Sequence, residues 1–252
     1  MAQDVMHSFI TPDEVATAVA DAFVDFVARS ICETGSCIVA ITGGTIPNRL
    51  FELLNTPVYI DRIDWERTFF LWTDERFISQ SDPDNHFYRA KKRLFSNMCG
   101  ASHFFPIHTD KGTVRNAADE YDKEVKTILR ARDKRGVDLA ILGLGQDGHT
   151  AGLFPRSLAL QEDGRYVVAV EDGNVWDRVT MTFSFLSQAR HVWYTVVGDA
   201  KRAALAKVLQ QRLDYEDSPW RERIGHVLPG AVLSQVPIDW FVDQEAYQVK
   251  NR

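Results

Sequence analysis

The sequence predicts an α/β protein: a mostly parallel open sheet with helices on both faces, layered α/β/α, with a smaller peripheral subregion. Two observations carry this. Short, continuously apolar runs alternate along the chain with segments of helical periodicity, the pattern of strands buried on both faces and their crossover helices. With 252 residues, 45% hydrophobic and 25% charged, the chain can also bury a sizeable core, and a single α/β domain over residues 1–252 is the expected organisation.

Thr11-Pro12-Asp13-Glu14 opens the first helix. Thr11 stands at the N-cap, Pro12 at the first helical position, and Glu14 three residues after the cap, where it can close a capping box. Val15, Ala18, Val19, Ala22, Phe23, Phe26 and Val27 then recur at intervals of three and four, which places them on one stripe. CIVAIT (Cys37 to Thr42) reads as a strand, Gly43-Gly44-Thr45 as a tight loop, and the segment from Pro47 with Leu50, Leu53 and Leu54 as a helix. A second unit has strand TFFLWT (Thr68 to Thr73), a polar loop from Asp74 to Asp84 and a helix from Asn85 to Met98. A helix from Val114 to Arg132, stopped by Gly136, leads into strand VDLAILG. YVVAV (Tyr166 to Val170), RVTMTF (Arg178 to Phe183) and HVWYTVVG (His191 to Gly198) follow, the last feeding a helix from Asp199 to Leu209. The sum is a Rossmann-like sheet, in which Trp72 and Trp193 fall inside strand runs as core filling.

A formal net charge of −6 argues against a nucleic-acid surface, which needs clustered Lys and Arg to displace counterions. The basic cluster Arg130, Arg132, Lys134 and Arg135 precedes Gly136 at a helix end, where it reads as a solvated cap on the negative end of the helix dipole. No apolar run reaches the roughly 20 residues that cross a bilayer, and MAQDVMHSF lacks a basic-then-apolar signal pattern, so a cytoplasmic protein without a membrane partner is expected. Cys32, Cys37 and Cys99 match no zinc or redox spacing and are expected to be reduced, partly buried thiols.

In open parallel sheets ligands bind beyond the carboxyl ends of the strands. Four polar constellations fall at such ends: Gly43-Gly44-Thr45 with Asn48, Asp74-Glu75-Arg76, Gly145-Gln146-Asp147-Gly148-His149, and Lys201. The two glycines at 43 and 44 allow backbone to approach a ligand, and the following helix aims free N–H groups at it, which suits a phosphate. Taken alone, the loop serves equally as a plain strand-to-helix turn. GLGQDG is set aside as a dinucleotide fingerprint because no first βαβ unit surrounds it. His149 can be held rigidly there yet remain reachable for proton transfer, with Asp147 orienting it. Asp74, Glu75 and Arg76 offer a carboxylate pair and a cation at a neighbouring strand end.

At these residues the sequence resembles the 6-phosphogluconolactonase family, within the wider superfamily that includes glucosamine-6-phosphate deaminases. The blocks that carry the resemblance are AITGGTIPNRLFELL, LWTDERF, DLAILGLGQDGHTAGLFP, RVTMTFSFLSQARHVWYTVVGDAKRAALAKVL and LPGAVLSQVPIDWFVD. It implies hydrolysis of 6-phospho-D-glucono-1,5-lactone to 6-phosphogluconate in the oxidative pentose phosphate pathway, with no metal or organic cofactor. By motif, His149 is the expected general base and Asp147 its orienting partner. Arg76, Arg178 and Lys201 match basic, ligand-facing positions, Asp74 joins them among the substrate-binding residues, and Gly43, Gly44 and Thr45 add donors. A monomer or weak homo-oligomer is expected.

The chain departs from the family pattern in three places. GGTIP stands where GGSTP is usual, so Ile46 cannot donate the hydroxyl of a threonine. Asn85-His86-Phe87 replaces Ser-Asn-Tyr; His86 either substitutes for that contact or caps the helix, and the cap is preferred. Gly152 replaces the serine of GHTASLFP. A sugar-phosphate deaminase or isomerase is the nearest alternative, but its DEY and IAFNEP patterns are here Asp74-Glu75-Arg76 and Thr150 to Pro155. A sugar-phosphate-sensing module lacks its helix-turn-helix partner, and a serine hydrolase its GxSxG elbow.

Overall fold

The computed structural model describes residues 4–94, 103–171, 175–233 and 236–247. In chain order the strands among them are β1 (Asp4–Phe9), β2 (Cys37–Ile41), β3 (Thr68–Trp72), β4 (Asp74–Arg76), β5 (Phe104–Phe105), β6 (Leu139–Gly143), β7 (Val167–Val170), β8 (Arg178–Met181), β9 (His191–Val196) and β10 (Ile238–Asp243). The helices are α1 (Pro12–Thr34), α2 (Thr45–Leu54), α3 (His86–Leu94), α4 (Val114–Arg130), α5 (Phe183–Leu186), α6 (Arg202–Asp214) and α7 (Trp220–Arg223). Seven strands form one sheet in the order β1-β10-β9-β6-β2-β3-β5, every pair parallel. No helix among the described residues is long and apolar enough to cross a membrane.

The continuous apolar runs become the fully buried central strands, as parallel strands covered on both faces must. Trp72 and Trp193 are both buried in the core. Helix α1 starts at the expected cap, where the Thr11 hydroxyl accepts the Glu14 N–H at 3.2 Å. Glu14 reaches back one residue further than a capping box requires and accepts the Ile10 N–H at 2.8 Å. Gly35, at φ 81°, ends the helix in the left-handed conformation that glycine adopts most readily.

Two strands differ from the expected layout. β7 and β8 leave the parallel sheet and pair antiparallel with each other, and β8 pairs with β4, making a separate three-stranded sheet. The seven residues between β7 and β8 are too few for a crossover helix, so the two can only form an antiparallel pair. Asp74–Arg76, expected within a polar loop, is the short third strand of this sheet. β10 and the edge strand β1, drawn from segments without a strong strand pattern, extend the main sheet beyond β9.

The cluster before Gly136 is only partly a solvated cap. Arg132 donates to the Ile128 carbonyl at 2.9 Å, as a capping cation does, and lies over the Phe69 ring. Lys134 is instead buried against Asp138, with Nζ 2.6 Å and 2.7 Å from the two carboxylate oxygens. Asp138 has no exposed surface, accepts the Ile38 N–H at 2.8 Å and also meets Arg190 at 3.3 Å. Cys37, beside this cluster, is free and buried, its thiol pushed up to about 12 by burial and then by the Asp138 charge. Cys32 is free but exposed, while Cys99 and the expected helix end at 95–98 lie outside the described residues.

Removing one partner of a buried ion pair strands the other charge. Lys134→Met is therefore expected to lower unfolding stability by roughly 2–4 kcal/mol, with Arg190 limiting the loss. Equilibrium urea unfolding measures it, and a change near zero excludes the pair as a support of the sheet.

Candidate active site

β2 has β3 on one side and β6 on the other, so the chain's progress across the sheet reverses there and a crevice opens at the carboxyl ends. Loops leaving β2, β3, β6 and β9 enclose a cleft of about 260 Å³. Of the nine residues expected from the sequence to form the site, eight line this cleft; Asp147 stands behind, against His149.

The loop after β6 is closed on itself by two backbone bonds, Gly148 N–H to the Gly145 carbonyl at 3.0 Å and Gly145 N–H to the His149 carbonyl at 2.8 Å. On this platform the His149 Nδ1 lies 2.6 Å from Asp147 Oδ1. The carboxylate also accepts the His149 backbone N–H at 3.1 Å. Burial works to raise the Asp147 carboxyl, but the His149 ring and backbone N–H hold it below the ordinary carboxylate value. An ionised Asp147 can only accept, so Nδ1 carries the proton and Nε2 is left free to take one. Phe154 backs the imidazole at a ring separation of 4.4 Å.

Gly145 is required by close approach. A Cβ there would stand 2.1 Å from His149 Nδ1 and 2.5 Å from Asp147 Oδ1. Gly143, Gly145 and Gly148 do fall at the GxGxxG spacing, yet the chain turns into Thr150–Leu153 instead of opening a helix, and no dinucleotide cradle forms. In that turn Ala151 is held at φ 49°, a local strain of the kind found at functional sites. Gly152 donates to the Thr180 hydroxyl at 3.0 Å, and a Cβ on it would come within 2.8 Å of Thr180. The loss of the usual serine is thus matched to Thr180.

Across the cleft, α2 begins without a side-chain cap, behind Gly44 at φ 140°. Its Thr45 and Ile46 N–H groups face an uncapped helix N-terminus, an anion site by backbone and dipole alike. Thr45 is exposed at the cleft, whereas the Ile46 side chain is 2% exposed and belongs to the core. Lys201 lies on the far wall after β9; burial pulls its ammonium below the ordinary lysine value, and Asp147 offsets part of this.

Arg76 and Arg178 are direct cross-strand partners in the small sheet, an arrangement that repels unless an anion joins them. Burial and then the Arg178 charge pull the Arg76 guanidinium below its ordinary value. The Nε atoms of both are buried without a hydrogen-bond partner. Each guanidinium is aimed by a second group. Arg76 donates to the Asp84 carbonyl at 2.8 Å and lies over the Trp176 ring; Arg178 meets Asp74 at 3.1 Å and lies over Phe154.

Asp74 is buried, and its Oδ1 accepts the Thr42 and Thr73 hydroxyls at 2.8 and 3.2 Å. Burial works to raise its carboxyl, while the His86 ring, Arg178 and Thr42 bring it below the ordinary value. Glu75 turns away from the cleft and accepts the backbone N–H groups of Arg76, His86 and Phe87, each at 2.9 Å. Burial raises its carboxyl despite these donors. The cap of α3 is Asn85, whose Oδ1 accepts the Tyr88 N–H at 2.9 Å. His86 is therefore not the cap, and its imidazole lines the cleft. Arg89, Trp176 and Phe154 also went unnoticed in the sequence. Trp176 could be placed only once the β4–β8 register was known.

The profile of the family described as glucosamine-6-phosphate isomerases/6-phosphogluconolactonase matches residues 10–225. The chain belongs to this family. It is 30% identical over 226 residues to 6-phosphogluconolactonase 3, chloroplastic, of Arabidopsis thaliana, covering 85% of this chain and 65% of that protein. It is 29% identical to the 6-phosphogluconolactonase of Synechocystis, covering 87% of each. The solved structure of 6-phosphogluconolactonase from Trypanosoma cruzi superposes with a TM-score of 0.82 over 100% of this chain and 99% of the other, at 21% identity, which shows the shared fold.

Gly145→Ala is expected to break the Asp147–His149 hydrogen bond. The wild-type contact should give a downfield Nδ1 proton resonance in NMR spectra that the variant lacks; persistence of that resonance would show that the loop accommodates a Cβ.

Proposed function

We propose that the protein hydrolyses 6-phospho-D-glucono-1,5-lactone to 6-phospho-D-gluconate, in the oxidative pentose phosphate pathway, by general-base activation of water at His149. The carrying observation is the one carboxylate-paired imidazole among the described lining residues: His149 is bonded to Asp147, whereas the second imidazole, His86, has no carboxylate within hydrogen-bond distance. Asp74 is the one carboxylate among the described lining residues, and its oxygens are taken by Thr42, Thr73 and Arg178. A deaminase or isomerase, which abstracts a carbon-bound proton, needs an added base. Activating water needs only His149. The names of the plant and cyanobacterial relatives point the same way.

In this reaction His149 Nε2 takes a proton from water as the oxygen bonds to the lactone carbonyl carbon. The imidazolium is stabilised by Asp147 at 2.6 Å. The tetrahedral oxyanion forms on the side of Arg178, which shares the Phe154 ring with His149, and Arg76 adds a second cation. Donors placed where charge develops stabilise the transition state more than the ground state. Collapse breaks the bond to the ring oxygen, which receives the proton held by His149, and the product acid ionises. The uncapped start of α2, with Gly43, Gly44 and Thr45 beside it, holds the phosphate together with Lys201. Asp74 acts by positioning Arg178. We place the reaction in the cytoplasm, and one copy of the chain suffices because it supplies every residue named.

The test is a coupled assay with freshly generated lactone, corrected for spontaneous hydrolysis and run beside glucosamine 6-phosphate. Turnover of the lactone alone is expected; release of ammonia from the amino sugar would replace this function by the deaminase. His149→Ala should lower kcat by about 10²–10⁴-fold with a melting temperature close to wild type, and wild-type turnover in that variant removes the general-base assignment.

A pH dependence follows from Lys201. Its pKa is depressed by burial, so the cation is lost as pH rises, beginning below the range of an ordinary lysine. Affinity for 6-phosphogluconate, measured by calorimetry from about pH 8 upward, is expected to fall early on the alkaline side. Lys201→Arg should flatten that fall, since a guanidinium stays charged; an identical alkaline limb in both proteins excludes Lys201 from the phosphate site.

A further inference from the structure

The cleft holds a second imidazole that this function leaves unused. His86 stands at the start of α3, its side chain 7% exposed, and lines the same cavity as His149. Its Nδ1 is 3.2 Å from the Asp74 backbone carbonyl. A carbonyl oxygen only accepts, so Nδ1 carries the proton, and in the neutral ring Nε2 presents a lone pair. The Glu75 carboxylate, 3.7 Å from Nδ1, is beyond hydrogen-bond distance and already occupied by backbone donors. His86 therefore lacks the partner that makes His149 a base.

The ring is fixed on both sides. Its own backbone N–H is bound to Glu75 at 2.9 Å, and its face lies on the bare Cα of Gly43, where a Cβ would come within 2.2 Å of Cδ2 and 2.5 Å of Nε2. Gly43, the first glycine of the loop, is thus kept free of a side chain by this imidazole. A rigid acceptor beside the loop suits a neutral donor; it would repel phosphate oxygens, which carry negative charge and only accept.

Resting on the lactonase function, we propose that His86 is a specificity-determining residue whose Nε2 accepts a hydrogen bond from one hydroxyl of the sugar.

The experiment compares wild type, His86→Phe and His86→Asn by calorimetry with 6-phosphogluconate, its 2-, 3- and 4-deoxy analogues, and inorganic phosphate, with lactone turnover measured separately. One deoxy analogue should bind wild type about tenfold more weakly than the parent. His86→Phe should lose about tenfold for the parent and nothing further for that analogue, while His86→Asn, which keeps an acceptor, recovers part of the loss. Equal weakening of all the sugar acids, or a matching loss for inorganic phosphate, overturns the proposal. Should the phenylalanine variant fail to fold, the Nε2 nitrogen shift of wild-type His86 gives the same answer: it should move on titration with 6-phosphogluconate and not with inorganic phosphate, and a static shift overturns the contact. Discrimination in a wild type that does not turn over lactone would sustain the contact while removing the lactonase function.

Discussion

The cleft exists because β6 lies in one register between β2 and β9, and that register is pinned at the end of the sheet far from the chemistry. Asp138 immediately precedes β6. Its backbone N–H donates to the Ile38 carbonyl at 2.9 Å and its carboxylate accepts the Ile38 N–H, while its own carbonyl accepts the His191 N–H at 3.1 Å. One residue therefore fixes three strands, and Lys134 and Arg190 balance the charge that doing so buries. At the opposite end the same register brings Thr42 N–H to the Ile141 carbonyl and Thr73 N–H to that of Ile41. A slip of one residue would turn every side chain of β6 to the other face. It would also carry Gly145 and His149 away from Gly43.

The small antiparallel sheet is the second wall. It joins the main sheet where the Met181 N–H meets the Thr73 carbonyl at 2.7 Å, just where the chain passes from β3 into β4. Antiparallel pairing then puts Arg76 directly across from Arg178, and the same strand offers Thr180 to the Gly152 N–H. Cation pair and histidine turn are thus held by one element. This explains why the turn tolerates Ala151 at positive φ: its neighbours on both sides are bonded, and the strain is spread over a structure that over-determines it.

How much of this was legible follows from which interactions are local. Continuous apolar runs, the Thr11 cap and the glycine loops are set by residues close in sequence, so the parallel sheet and the strand-end placement of His149, Asp147, Gly43 and Lys201 could be read directly. The sequence predicts a smaller peripheral subregion but does not assign β7 and β8 to it, because YVVAV and RVTMTF have the composition of buried parallel strands; only the missing helix between them signals otherwise. Lys134 reads as a surface cation because its partner Asp138, four residues on, belongs to the apolar run of the next strand. Asn85 is a local cap of α3, three residues from the N–H it accepts, so the preference for His86 at that position is a misplacement by one residue; only the Glu75 contacts to the His86 and Phe87 N–H groups depend on β4 and α3 being brought together.

Net charge misleads about what this cleft binds. The chain carries a formal −6, yet Arg76, Arg89, Arg178 and Lys201 all line one cavity, whose single carboxylate among the described residues is already engaged by Arg178 and two hydroxyls. Burying these cations costs folding stability: burial is the first cause that lowers the pKa of both Arg76 and Lys201, and at Arg76 the neighbouring Arg178 charge adds to it. A folded-state pKa lowered by burial means that the fold binds the proton less tightly than the unfolded chain, so each cation opposes folding while charged. An anionic ligand reverses the sign by supplying the missing counter-charge in a low-dielectric space, where it acts more strongly than in water. The same desolvation that weakens these cations in the free protein therefore strengthens their attraction for any anion that enters the cleft, so in the proposed reaction the charge of the sugar phosphate is selected before any hydroxyl is read.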